Sequence, residues 1–296
     1  MILVTGASGF VGRALIPVLE REGPVATAPR DLPPSFRGIT TVVHLAARVH
    51  VMRETASDPL DAFRRVNLDL TRSLAETAAA SGVKRFIYIS TAKVNGEQSG
   101  STCFRDTDNP QPQDPYARSK WEAEQELARI TASSSMEVVI LRPPLIYGPE
   151  VKGNFLTLLK LCRLAPPLPL AAIENRRSLL YLGNLTDAIA AVARAPLRGG
   201  CHTHLLADGE ALSTPELLRG VSQALGRPCR LFPVPPALLR GAAALLGKKP
   251  VIDRLLDSLA IEDSPFRESF SWSPPHSVEA GLAATAAWFN SPRPST

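Results

Sequence analysis

Short apolar runs alternate with amphipathic stretches through the first half of the chain. Ile2 to Val4 is apolar and breaks at Thr5-Gly6, after which Gly9, Phe10, Val11 and Gly12 lead into Ala14, Leu15, Val18 and Leu19 at three- and four-residue spacing. That succession predicts strand, glycine turn, helix. Further strands are predicted at Val25 to Ala28, Thr41 to Leu45, Phe86 to Ser90 and Val138 to Leu141, with helices over Ala62 to Ser81 and Tyr116 to Ala132. Strands alternating with helices predict an α/β protein built on a doubly wound, mostly parallel sheet. The carboxyl ends of such strands are where a site belongs.

After Tyr147-Gly148-Pro149 the alternation fades. Helical patterns at Phe155 to Cys162, Leu185 to Ala195 and Thr214 to Leu225 follow, joined by Pro-rich segments such as Ala165 to Pro169. The expected division is a sheet domain over 1–149 and a smaller, mainly helical substrate-covering region over 150–296. One strand, Thr203 to Leu206, is expected to return within 179–206. No internal repeat is visible.

Composition narrows the classes. A chain of 296 residues with 45% hydrophobic and 21% charged residues has material for a sizeable core and reads as an ordinary globular protein. The 27 prolines imply many stiff connections. The net charge of +5 comes from scattered residues, mostly Arg, without the clustering a nucleic-acid footprint needs. Scattered Arg suits anionic small molecules instead, because guanidinium grips phosphate bidentately. Cys103, Cys162, Cys201 and Cys229 form no CxxC pair, so neither a metal site nor a disulfide framework is expected. Met1 runs straight into Ile-Leu-Val-Thr-Gly without a basic or apolar leader pattern, and a cytoplasmic protein is expected. The apolar stretch Pro235 to Gly247 is too short to span a bilayer and carries Arg240; it predicts a packed helix, with an interfacial helix as the alternative.

The chemistry begins at Gly6-x-x-Gly9-x-x-Gly12. A glycine turn directly after a strand and opening a helix lets the backbone approach a pyrophosphate and turns the helix N-terminus toward it. Tyr116 and Lys120 stand four apart on the helix that Asp114 and Pro115 are suited to start, so they share a face. A cation beside a phenol favours the phenolate, which prepares Tyr116 for proton transfer near neutral pH.

These segments, with Val42-Val43-His44-Leu45-Ala46-Ala47, Asn67 to Glu76, Gly82 to Thr91, Asp114 to Lys120 and Arg142 to Pro149, resemble the extended short-chain dehydrogenase/reductases. Over nearly the whole chain the pattern is similar to their NAD-dependent epimerase/dehydratase family, in its UDP-glucose 4-epimerase-like branch. The resemblance implies a Rossmann-type fold and catalysis by Thr91, Tyr116 and Lys120, with Ser90 as the neighbouring candidate for the hydroxyl. It implies cofactor contacts from Gly6, Ser8, Gly9, Phe10, Val11, Gly12, Arg30, Leu45, Ala46, Ala47, Tyr116, Lys120 and Pro143. Asn67 would brace the site through its helix, the alternative being a surface polar residue.

NAD-preferring relatives place an acid after the second strand. Here Pro29 and Arg30 occupy that stretch, and an Arg suits a 2′-phosphate, so the cofactor is NADP or NAD with NADP expected. Asp31 is the alternative, able to take the ribose diol. The few residues between Asp31 and Val42 leave no room for a crossover helix and third strand.

The stretch Asn175 to Leu185 aligns with the nucleotide-sugar enzymes' diphosphate segment, placing Arg177 on the pyrophosphate, while Asn154 and Arg254 are further substrate candidates. Leu145 stands where 4-epimerases often have Asn. Ala92 and Lys93 follow Thr91 where dehydratases carry acids, which disfavours dehydration. The expected activity is that of a UDP-hexose 4-epimerase or 4-keto-sugar reductase in surface polysaccharide biosynthesis, working as a homodimer. The alternatives are a ketoreductase of non-sugar substrates and a non-catalytic dinucleotide-sensing protein.

Overall fold

In the computed structural model, which describes residues 1–28, 35–49, 58–247 and 249–291, the chain opens with β1 (Ile2–Thr5), α1 (Phe10–Glu20), β2 (Val25–Ala28), β3 (Thr41–His44), α2 (Pro59–Arg64) and α3 (Leu70–Ala80). It continues with β4 (Arg85–Ile89), α4 (Pro115–Ala132), β5 (Glu137–Arg142), β6 (Leu145–Tyr147), α5 (Gly153–Leu164), β7 (Leu179–Tyr181), α6 (Leu182–Arg194) and β8 (Cys201–Leu205). It closes with α7 (Thr214–Ala224), α8 (Pro236–Leu245), α9 (Lys249–Leu256), α10 (Ser264–Phe270) and α11 (Val278–Asn290).

The six-stranded sheet has the order β2-β1-β3-β4-β5-β8, and every pairing is parallel. The chain leaves β1 toward β2 and returns to β3 on the other side of β1. The order therefore reverses between β1 and β3, the switch point where α/β sheets bind ligands. No further strand lies between β2 and β3 among the described residues, in keeping with the short connection seen in the sequence. The strand expected at Thr203 to Leu206 forms as β8 and adds to the sheet beyond β5, with register Leu141↔His204.

Alternation along each strand feeds two cores. Val42, Phe86 and Val138 point to the α3 and α4 side, where Leu74, Ala78 and Leu127 cover them. Val43, Ile87 and Val139 point to the α1 and α6 side, against Leu15, Leu19 and Ile189. A third cluster joins α5, α7 and α11 through Phe155, Leu159, Leu218, Val221, Leu282 and Phe289, and forms the helical lobe.

Two buried charges tie the sheet to α6. Arg85 on β4 pairs with Glu137 on β5, and its guanidinium also donates to the carbonyls of Val192, Ala195 and Pro196. A cation at the carboxyl end of a helix is favourable, and these bonds offset its desolvation.

The predicted helix over Ala62 to Ser81 differs in form. It begins at Pro59, capped by the Asp58 side chain on the Asp61 N–H, and is interrupted by one π-helical turn, Arg65–Asp69, before α3. Such turns often mark functional positions, and this one carries Asn67.

Candidate active site

The glycine turn is shaped by contacts only glycine allows. Gly6 has φ +72°, and a Cβ there would lie 2.7 Å from the Ala46 nitrogen. The turn after β1 therefore presses directly on Leu45-Ala46 at the end of β3. At Gly12 a Cβ would meet the Gly6 oxygen at 2.4 Å and Ala7 Cα at 2.6 Å, so α1 seats against the turn only because Gly12 has no side chain. Gly9 caps α1 without any side-chain bond, and the first turn holds no acid, so its N–H groups and dipole are available to an anion. This cradle fits the pyrophosphate of a dinucleotide. Ser8 and Gly9 are exposed on the turn, Phe10 and Val11 are half-buried, and Leu45, Ala46 and Ala47 are half-buried beside it.

His44 fixes the end of β3. Thr71 donates to the Asn67 carbonyl, so its oxygen accepts from His44 Nε2 at 2.9 Å, and Nδ1 then accepts from Thr5 at 2.6 Å. Burial, and secondarily Lys120, pull His44 down to about 3. It is a neutral strut between β1 and α3.

Ser90 and Thr91 directly follow β4 but do different things. Ser90 is buried and donates to Glu124, which also holds Arg142 at 2.5 Å; Arg142 in turn donates to Asn95. Ser90 is thus spent inside a network that locks β4, α4 and β5 together. Thr91 Oγ1 accepts from the Lys93 N–H at 3.3 Å, leaving its own proton to give. The short helical turn after it is pinned by the Ala92 N–H on the carbonyl of Pro143, which is buried.

Asp114 and Pro115 begin α4 as expected: the Asp114 side chain accepts from the Ala117 N–H at 2.6 Å. Its other oxygen takes Lys93 at 2.6 Å, and Lys93 also reaches Glu97 at 2.8 Å. The helix is braced from below by Asn67, fully buried, which donates to Ser119 Oγ and bonds Arg48 through both its amide atoms. The surface alternative for Asn67 is excluded by that burial.

Tyr116 is half-buried on α4, edge-on to Phe63 at 6.1 Å. Lys120 is buried, its ammonium 4.2 Å from the centre of the Tyr88 ring. Burial, then Asp114, push the Tyr116 phenol well above its ordinary range, and burial pulls Lys120 down to about 7 against the opposing pull of Glu124. Desolvation is the largest cause of both shifts. The resting phenol is therefore protonated.

The Lys120 shift makes a testable stability signature. Its folded pKa lies below the unfolded one, so between about 7 and 10.5 the unfolded chain binds more protons and Lys120's contribution to stability rises with pH. Melting curves should show Lys120→Met gaining on the wild type at low pH. The gap should shrink by up to about 1.4 kcal/mol per pH unit above pH 7. A gap that does not change with pH would refute the shift.

Facing this end of α4 is a cavity of about 600 Å³ lined by Thr91, Lys93, Tyr116, Leu145, Asn154, Arg177 and Arg254, among others. The hydroxyl, the phenol and the three substrate candidates, which lie far apart in sequence, thus meet around one space. Arg177 is held by the carbonyls of Arg254 and Asp257, each at 2.9 Å, and burial lowers its pKa. Asp253 and Asp257 on the same wall are each held by Arg240 at 2.7 Å from behind. The acids of that wall are answered by Arg240, and Arg177 and Arg254 are left to receive an anion. Glu97, Asp253 and Asp257 gave no signal in the sequence, and Lys93 stood out only as a residue after Thr91 where dehydratases carry acids. Arg30 and Asp31, on which the cofactor expectation rests, lie outside the described residues.

A model of the NAD dependent epimerase/dehydratase family matches residues 2–206. The chain is 38% identical to a UDP-glucose 4-epimerase of Vibrio cholerae, over 97% of this chain and 95% of that one. It is 28% identical to an N-acetyl-alpha-D-glucosaminyl-diphospho-ditrans,octacis-undecaprenol 4-epimerase of Escherichia coli O157:H7, over 81% and 77%. Its fold matches that of a UDP-glucuronic acid 4-epimerase from Bacillus cereus in complex with NAD, with TM-score 0.76, 20% identity, and 97% and 95% of the two chains covered.

Proposed function

The chain belongs to the NAD-dependent epimerase/dehydratase family of extended short-chain dehydrogenase/reductases, and from that premise we propose that it works at C4 of a UDP-hexose, as a 4-epimerase or a 4-keto-sugar reductase in surface polysaccharide biosynthesis. The observation that carries this reading is the single cavity in which Thr91 and Tyr116 share space with Asn154, Arg177 and Arg254. Its volume suits a small organic ligand. Two guanidinium groups suit a diphosphate.

The nicotinamide cofactor, when bound at the glycine turn, supplies or accepts the hydride. Tyr116 gives its phenolic proton to the C4 oxygen as a ketone is reduced, and takes one back in the opposite direction. Thr91 donates to that oxygen, because its own acceptor role is filled by the Lys93 N–H. Lys120 lies one helical turn below Tyr116 and supplies a cation when protonated. The clamp of Lys93 on Asp114 and Glu97 occupies the acids near Thr91, which favours simple oxidation and reduction at C4 over water elimination.

Arg30, following β2, favours the 2′-phosphate of NADP over the free diol of NAD. With a UDP-4-keto-6-deoxyhexose, kcat/KM for NADPH should exceed that for NADH at least tenfold. Equal or better use of NADH overturns the preference. An Arg177→Met variant separates this reading from a ketoreductase of non-sugar substrates: a UDP-sugar should lose about 10²-fold in kcat/KM, the scale of a charge-assisted phosphate contact, whereas a ketone without a diphosphate should not respond.

A further inference from the structure

An ordinary surface helix turns its charges outward and its apolar side inward. Helix α8 instead exposes most of its apolar residues. Its one charged residue, Arg240, is half-exposed and reaches sideways to Asp253 on α9 and Asp257 just after it, and Ala243 is its buried position. Outward it presents Ala237, Leu238, Gly241, Ala242, Ala244 and Leu245, with no polar side chain among them. Leu238 is 64% exposed and Leu245, two turns later on the same stripe, 91%. The patch continues into Leu246 at 72% and Phe232 at 45%. Large exposed apolar side chains concentrated along and beside one helix form the kind of surface that marks an interaction site.

The charge around the patch is mainly positive, with Asp253 and Asp257 answering Arg240 and Lys249. From Gly226 to Ile252 the chain carries Arg227, Arg230, Arg240, Lys248 and Lys249 and no acid. Arg227 and Arg230 are exposed just before the patch, and Lys249 stands after it, sharing Asp253 with Arg240. A second copy of the chain, placed symmetrically on this face, would bring these like charges together. An anionic lipid surface would neutralise them while accepting the leucines.

We propose that α8 docks this protein on an anionic phospholipid bilayer, with Phe232, Leu238, Leu245 and Leu246 entering the boundary between headgroups and acyl chains. No helix of the described residues is long and apolar enough to cross a membrane, so the attachment is peripheral. Because α8 is clamped to α9 through Arg240, docking holds the cavity wall that carries Arg254 beside the bilayer. The inference goes beyond the C4 chemistry and is tested without substrate.

The test is flotation of the full chain with vesicles of phosphatidylglycerol and phosphatidylethanolamine, and with vesicles of phosphatidylcholine alone. The wild type should float with the anionic vesicles and stay behind with the zwitterionic ones. Leu238→Ser and Leu245→Ser should each lower partitioning about tenfold, as expected for losing one partly inserted leucine. Turnover of a free nucleotide sugar should be unchanged in both variants, which shows that they are folded. No flotation with either vesicle, or flotation unaffected by the two substitutions, overturns the proposal. A fall in oligomeric state on sedimentation of the variants would also overturn it, assigning the face to a second copy.

Discussion

Tyr116→Phe is expected to lower kcat by at least about 10³-fold while leaving cofactor affinity within a factor of about three, since proton transfer by a positioned side chain contributes roughly 10²–10⁴-fold. The substitution removes one oxygen and nothing else. Phe keeps the edge-on contact with Phe63 and the packing of α4, whose start depends on Asp114 and Pro115 and not on the phenol. The loss should therefore appear in kcat, with melting temperature and dinucleotide binding preserved. Single-turnover absorbance of the nicotinamide and a binding titration check the two halves. Substantial residual turnover would remove Tyr116 from the proton path.

Gly12→Ala is expected to be the most damaging change outside the cavity. In an isolated helix the replacement would help by about 1 kcal/mol. Here the new Cβ would meet the Gly6 oxygen at 2.4 Å and Ala7 at 2.6 Å, all backbone atoms that no rotamer change relieves. Overpacking of this kind costs roughly 1–3 kcal/mol, and in this place it also moves α1 off the turn meant to hold the pyrophosphate. Cofactor affinity should fall about 10²-fold or more, with a lowered melting temperature, measured by titration calorimetry and thermal unfolding. Unchanged affinity would show that the dinucleotide does not use this turn.

Much of the frame was legible because its signals are local. The glycine turn, β1, β3, β4 and β5, and the start of α4 at Asp114-Pro115 follow from short apolar runs and capping residues. That no further strand lies between β2 and β3 among the described residues was legible as simple shortage of chain. What escaped was non-local or weakly patterned. β6 and β7 are only three residues long and exist by pairing with each other. α11 is alanine-rich and apolar all round, so it shows little contrast between faces. The π-helical turn that delivers Asn67 to Ser119 has no sequence period of its own.

The site shows the same division. Thr91, Tyr116 and Arg177 were found as residues, but their meeting in one cavity depends on α9, whose place no local pattern predicted. The network of Ser90, Glu124, Arg142 and Asn95 joins residues dozens of positions apart and was invisible for that reason. The effect of burial on Tyr116 and Lys120 was not legible, because spacing along a helix reports which groups are neighbours and not how dry they are. Burial decides the outcome.

The most direct measurement is NMR of the products formed from UDP-GlcNAc, UDP-Glc and a UDP-4-keto-6-deoxyhexose, each with and without added NADPH. The account predicts a change confined to C4: either interconversion of the hexose epimers without net NADPH consumption, or a new C4 hydroxyl formed with one NADPH consumed per sugar. Recovery of all three sugars unchanged under both conditions, or a change at a carbon other than C4, would contradict it.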